Sequence, residues 1–292
     1  MRNWIIITGM FFLTVFGSKA QEKVPFKLMA NWKPGEVKEM IVKQSGLWEM
    51  SGDEDTIPME ISAKYLITIT DKSEKGYMVE WKIINTNKEL EDNELLKDYI
   101  SGFKYLIETD LNGKFIGLYN WKSLIELNKE LKGKFISAMK QDNVSEPESE
   151  NIIAQMKLAE TRDELVDNCK SLTDVFHGIY GEELLLNDTT REQTTISNEQ
   201  IEEGIPATLE TKTRDLGDDK IFIRYAYLYD YEKIRVLQEK YFPDQEYIEQ
   251  KMDFYSEYIY NNKTGWIEKI TFYTEFESTG SRSLMKIEYI IK

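Results

Sequence analysis

Residues 215–231 read Asp215-Leu216-Gly217-Asp218-Asp219-Lys220-Ile221-Phe222-Ile223-Arg224-Tyr225-Ala226-Tyr227-Leu228-Tyr229-Asp230-Tyr231. Ile221, Ile223, Tyr225, Tyr227, Tyr229 and Tyr231 stand at every second position, while Arg224 and Asp230 fall between them. Successive side chains of a strand point to opposite faces, so this period predicts a strand with one apolar face and one polar face. The polar run Asp215–Asp219 predicts a turn, and Ile205–Arg214 before it predicts the partner strand of an antiparallel hairpin.

The same pattern recurs on both sides. Downstream, strands are expected near 253–260, 265–277 and 282–291, with Ile270, Phe272, Thr274 and Phe276 on one face. Lys233–Met252 reads as a loop followed by a helix after Pro243. Upstream, Pro34-Gly35 predicts a turn into a strand at Glu36–Lys43. Ile57–Thr70 and Tyr77–Ile83 form a second hairpin around Asp71–Gly76, and Glu89–Ser101 reads as a short helix. A third hairpin joins Phe103–Thr109 to Lys114–Tyr119 through Asp110-Leu111-Asn112-Gly113. Its layout returns late in the chain, where Asn262-Lys263-Thr264-Gly265 separates Tyr258–Tyr260 from Trp266–Ile270. Each turn has Asp or Asn first and Gly fourth, as expected of a turn closed by a glycine at positive φ.

Between these blocks the period changes to that of a helix. Asn120 can cap a helix from Trp121 to about Lys140, with Leu124, Leu127, Leu131, Phe135 and Ala138 as its apolar stripe. Ser145-Glu146-Pro147-Glu148 matches a capping box. The helix after it places Ile152, Met156, Ala159, Val166 and Cys169 on one side, and a turn or short helix then holds Leu172, Val175 and Phe176. Strands, then helices over about 121–177, then strands again is the order of an α+β fold with an antiparallel sheet.

The N-terminus gives an address. Arg2, the apolar run Trp4–Phe16, and the small residues Ser18 and Ala20 predict a cleavable signal peptide over residues 1–20, cut near Ala20-Gln21. The apolar run is shorter than the ~20 residues needed to cross a bilayer, and no later stretch is long and apolar enough. The expected organisation is therefore a signal peptide at 1–20 and a single α+β domain at 21–292, with strands at 21–120, helices at 121–177 and strands at 178–292. The expected location is the periplasm or the exterior.

Composition excludes several roles. The chain has 37 Lys+Arg and 52 Asp+Glu; without Arg2 and Lys19 the net charge is 35 − 52 = −17. Such a chain repels nucleic acid and anionic membrane surfaces. Cys169 is the only cysteine, so no internal disulfide forms, and His177 is the only histidine, too few for a His-based zinc site or a catalytic triad. A Cys169–His177 dyad is conceivable, but both fall at the end of a helical pattern and read as structural. No phosphate loop, HExxH, CxxC or GxSxG is present. The acidic clusters Asp53-Glu54-Asp55 and Glu89, Glu91, Asp92, Glu94 lack the ligand spacing of a calcium loop. No metal, cofactor or catalytic residue is assigned.

Together with the export signal, the run Thr109-Asp110-Leu111-Asn112-Gly113-Lys114-Phe115 leading to Asn120-Trp121, and Asn262-Lys263-Thr264-Gly265-Trp266, resemble uncharacterised secreted proteins of Gram-negative bacteria. Some of these are similar in layout to the lipoprotein-carrier fold. The resemblance implies a curved antiparallel half-barrel, its open side covered by helices, with a hydrophobic cavity between. Against that frame the tyrosine stripe has two readings. It packs the sheet onto the helices, or Tyr225, Tyr227, Tyr229, Phe272 and Phe276 line a pocket for an apolar small molecule or lipid. The alternative function is a non-catalytic structural or interaction protein with an envelope partner. A transmembrane barrel is opposed by the charged strand faces.

Overall fold

The structure is a computed structural model that describes residues 23–50, 59–85, 102–142, 144–155, 158–198, 201–244, 250–278 and 281–292. The signal-peptide segment, the helix expected at Glu89–Ser101 and both acidic clusters lie outside the described residues.

The elements run β1 (Pro25–Lys27), β2 (Val37–Met50), β3 (Met59–Lys72), β4 (Gly76–Asn85), β5 (Lys104–Asp110) and β6 (Phe115–Leu118). Three helices follow: α1 (Trp121–Gln141), α2 (Glu146–Gln155) and α3 (Arg162–His177). Then come β7 (Glu183–Leu185), β8 (Thr189–Asn198), β9 (Ile201–Gly217), β10 (Lys220–Tyr229), α4 (Tyr231–Tyr241), β11 (Gln250–Asn261), β12 (Trp266–Ser278) and β13 (Ser281–Ile291). This is the expected α+β class: a curved, unclosed antiparallel sheet of 11 strands, ordered β6-β5-β4-β3-β2-β13-β12-β11-β10-β9-β8, beside a two-stranded β1–β7 sheet.

The topology is two meanders joined in the middle. β2 to β6 run outward to one edge, and β8 to β13 return from the other edge until β13 pairs with β2 along Ile291↔Met40 to Ser281↔Met50. The helices of 121–177 connect the two edges. α3 lies on the inner face, where its Leu165, Cys169 and Phe176 join Ile67, Val79, Trp81 and Ile107 in one core.

Three local expectations are corrected. Asn120 does not cap α1 with its side chain; it pins the helix start to β5 by accepting from Leu106 N–H and donating to the Lys104 carbonyl. The single helix expected after Pro147 is two, because Thr161 and Glu164 form a reciprocal capping box that starts α3. Lys233–Tyr241, expected as loop, is helix: α4 lies before Pro243, and Asp230 caps it through Lys233 N–H, while the expected helix after Pro243 falls largely outside the described residues.

The core is centred on the segment before β2. Trp32 is 1% exposed and touches five rings: Tyr77, Phe176, His177, Tyr180 and Trp266, with centroids 5.1–6.0 Å away. Its indole N–H donates to the Gly265 carbonyl, which also accepts from the Tyr180 hydroxyl. Buried aromatic polar groups are here all satisfied, as a low-dielectric interior demands. This plug fills one end of the inner face.

His177 sits inside the plug, fully buried, with Nδ1 2.7 Å from the Gly113 carbonyl and Nε2 3.2 Å from the Trp81 indole nitrogen. A carbonyl can only accept and an indole N–H can only donate, so the imidazole is neutral with its proton on Nδ1. Burial lowers its pKa to about 4, against a weaker opposing contribution from the Gly113 hydrogen bond. The folded pKa lies below the unfolded one, so the contribution to stability is complete above pH ~6.5 and is lost as pH falls towards 4, on the order of 3 kcal/mol. Because His177 is the only histidine, its imidazole proton resonance can be followed directly by NMR. We expect no titration between pH 8 and 5; a midpoint near 6.5 would contradict the buried neutral ring.

Candidate ligand-binding face

Across six neighbouring strands, β9-β10-β11-β12-β13-β2, the inner face can be read in rows. The row next to the plug holds Ile223, Tyr258, Ile270, Tyr289 and Val42. The next holds Thr211, Tyr225, Ser256, Phe272, Ile287 and Gln44. The third holds Leu209, Tyr227, Phe254, Thr274, Met285 and Gly46. A fourth contains Ala207, Tyr229, Met252, Phe276 and Ser283. None of these positions carries a charge.

The outer face is the reverse. It carries Arg224–Glu257, Lys269–Glu288, Arg282–Glu275 and Arg191–Glu210 ion pairs between neighbouring strands. Arg224 lies over the Tyr255 ring, which stacks on Tyr273 at 4.8 Å. Exposed pairs of this kind add little stability each, but they mark the face that meets water. The strict alternation of the strands sorts the two chemistries onto opposite sides of one sheet.

The structure divides the five predicted lining residues into two groups. Tyr225 and Phe272 pack against the core. The Tyr225 ring stands edge-on to Tyr258 at 5.9 Å, and Phe272 contacts Tyr258 at 6.3 Å and Tyr289 at 5.9 Å. Tyr227, Tyr229 and Phe276 lie beyond the core cluster and are half-buried. Tyr227 leans on Phe254 at 5.6 Å and Tyr229 on Tyr231 at 6.4 Å. Phe276 stands between Met252 and Ser283 in the register. The first tyrosine of the stripe packs the core, and the later ones lie on a partly exposed apolar patch with Phe254, Met252 and Met285.

Phe254 and Met252 were not among the predicted lining residues. Their strand was expected to begin at 253, which removed Met252 from view, and the register that puts Phe254 beside Tyr227 is not visible in a single strand's pattern.

No protein-family profile matches the chain, and no curated protein matches it in sequence. Among solved structures it is similar to lipovitellin, in a structure titled "Lipid-protein interactions in lipovitellin". The TM-score is 0.39 at 7% identity, covering 89% of this chain and 25% of that chain. The chain thus spans a quarter of the lipovitellin chain it matches.

α4 borders the apolar patch. It buries no residue and is tied down by polar contacts: Glu203 of β9 accepts from both Lys240 and the Tyr241 hydroxyl, and the Tyr231 hydroxyl bridges the Met252 N–H and carbonyl. Among the described residues no helix is long and apolar enough to cross a membrane, and no three His, Cys, Asp or Glu side chains are grouped to hold a metal. Both ring nitrogens of His177 are engaged within the plug. Cys169 is buried, and that burial pushes its thiol up to about 12. A thiol so disfavoured as thiolate is neither a nucleophile nor a ready disulfide partner. What the face offers is area, aromatic surface and hydroxyls.

Proposed function

We propose that this is an exported protein of the cell envelope that binds or carries an apolar ligand, such as a lipid, on the apolar patch of Tyr227, Tyr229, Phe254, Met252 and Phe276, taken below as the trough of the curved sheet. The observation that carries this reading is the uncharged, half-exposed end of the inner face, set against an outer face laced with ion pairs. Contiguous apolar surface of this kind marks an interaction site. Tyrosine and phenylalanine give it a rigid aromatic lining, and the phenol hydroxyls allow it to meet a polar group.

Native mass spectrometry with lipid extraction, on protein purified from its own compartment, tests the reading. A stoichiometric co-purifying lipid supports it; an apo mass unchanged by envelope lipids overturns it. A charge in the trough should have a specific effect. Phe254 is partly exposed and packs on Tyr227, so Phe254→Glu should cost about 1–2 kcal/mol of stability and leave the fold intact, whereas an apolar probe such as Nile red should bind at least ~10-fold more weakly, because the carboxylate would be desolvated under the ligand. Equal probe binding by Phe254→Glu and wild type would remove the trough as the site.

One observation favours a second reading, a non-catalytic interaction protein with an envelope partner. The plug of Trp32, Phe176, Tyr180 and Trp266 fills the other end of the inner face with protein side chains. Cross-linking in the envelope separates the two: a captured protein in place of a lipid supports the second.

A further inference from the structure

One carboxylate enters this otherwise uncharged face from outside the sheet. Glu182 follows α3, in the loop before β7, and accepts a hydrogen bond from the Tyr225 hydroxyl. Its neighbours have cationic partners: Glu183 pairs with Lys27 at 3.6 Å and Asp188 with Lys23 at 2.6 Å. Glu182 is half-buried, and among the described residues it forms no ion pair; the Tyr225 hydroxyl is the one hydrogen-bond donor to its side chain. Tyr225 and Tyr258 stand edge-to-face beside it, and Tyr227 and Phe254 begin one row further along the same strands.

One oxygen of this carboxylate is bonded and no cation stands beside it among the described residues, so the other oxygen is open to a positively charged group. Burial first, and the nearby Glu182 second, push the Tyr225 phenol far above its usual range. The phenol is therefore a fixed donor, and it occupies one carboxylate oxygen while the other remains able to accept. A carboxylate flanked by tyrosine rings is suited to an ammonium group, which gains a charge-assisted hydrogen bond and cation–π contact together.

We propose that Glu182, with the Tyr225 ring beside it and buried Tyr258 behind, receives an ammonium group, and that the ligand is an amphiphile carrying one, its hydrocarbon lying along Tyr227, Phe254 and Tyr229. This rests on the trough reading above and narrows it to a ligand class.

Displacement of Nile red by three probes of equal chain length, dodecylammonium, dodecanol and dodecanoate, each below its micelle concentration, tests the proposal. Dodecylammonium should bind about tenfold more tightly than dodecanol, and dodecanoate more weakly than either. Glu182→Gln should bring dodecylammonium down to the level of dodecanol and leave dodecanol unchanged. Glu182→Ala, which also removes the carboxylate, should abolish the preference for ammonium in the same way, and it serves as the second variant should Glu182→Gln fail to fold. Equal affinity for the three probes, or a preference unchanged in Glu182→Gln, overturns the ammonium assignment and leaves the trough standing. Failure of all three to displace the dye overturns both.

Discussion

Replacing Trp32 by alanine should cost the protein about 4 kcal/mol, enough to leave it largely unfolded at moderate urea concentrations. Trp32 is 1% exposed and its ring is in contact with all of Tyr77, Phe176, His177, Tyr180 and Trp266. Those five rings come from β4, α3, the turn after α3 and β12. Truncation therefore opens a cavity where both sheet meanders and the helical segment meet, and it also removes the donor to the Gly265 carbonyl. The cavity cannot close by moving a single element, so the upper part of the range for a buried aromatic applies. Urea unfolding followed by far-UV circular dichroism measures the loss, and Trp32→Phe should recover part of it by refilling the volume without the N–H. A loss under 1 kcal/mol for Trp32→Ala would mean that the plug does not hold the halves together.

The strands were legible because their alternation is strong. Tyr225, Tyr227 and Tyr229 share a face, as the period requires, and Arg224 falls on the other. The hairpin 205–229 is present with its turn narrowed to Asp218-Asp219, both at positive φ. Helix boundaries were harder. Thr161-Arg162-Asp163-Glu164 has the spacing of a capping box, but the apolar period runs through it from Ile152 to Cys169 and hides the break. Trp32 gave no signal at all, since Asn31-Trp32-Lys33 has no periodic context and its importance comes from contacts more than two hundred residues away, such as Gly265. The candidate site was half legible for the same reason. A strand pattern gives the face, but only the register across six strands shows that no charge interrupts it, and nothing local to Glu182 announces that its carboxylate reaches Tyr225.

The twin glycine turns make the same point with a larger expected effect than turn chemistry alone allows. In sequence, 110–113 and 262–265 look like one turn type used twice. In the structure the second is closed by Asn261, whose side chain accepts from Lys263 and Thr264 N–H, rather than by Asn262. Both turns also press on the segment carrying Trp32: Ala30 N–H donates to the Asn112 carbonyl, and Asn31 donates to the Asn262 carbonyl. Gly265 has φ +70°, and a Cβ there would lie 2.2 Å from Asn31 N and 2.5 Å from the Met29 carbonyl oxygen. Gly217 has a similar φ of +78° with open space around it. The left-handed conformation should cost each alanine variant about 1 kcal/mol. Gly265→Ala must in addition push backbone away from backbone, which a side-chain rotation cannot relieve, so its total should reach roughly 3 kcal/mol or more. The comparison is therefore its own control. A large loss for Gly265→Ala beside a small one for Gly217→Ala would show that this glycine is required by the close approach of the 28–32 segment. Equal losses would mean that the turn conformation alone explains it and that the segment is held by the aromatic contacts of Trp32 without help from the hairpin.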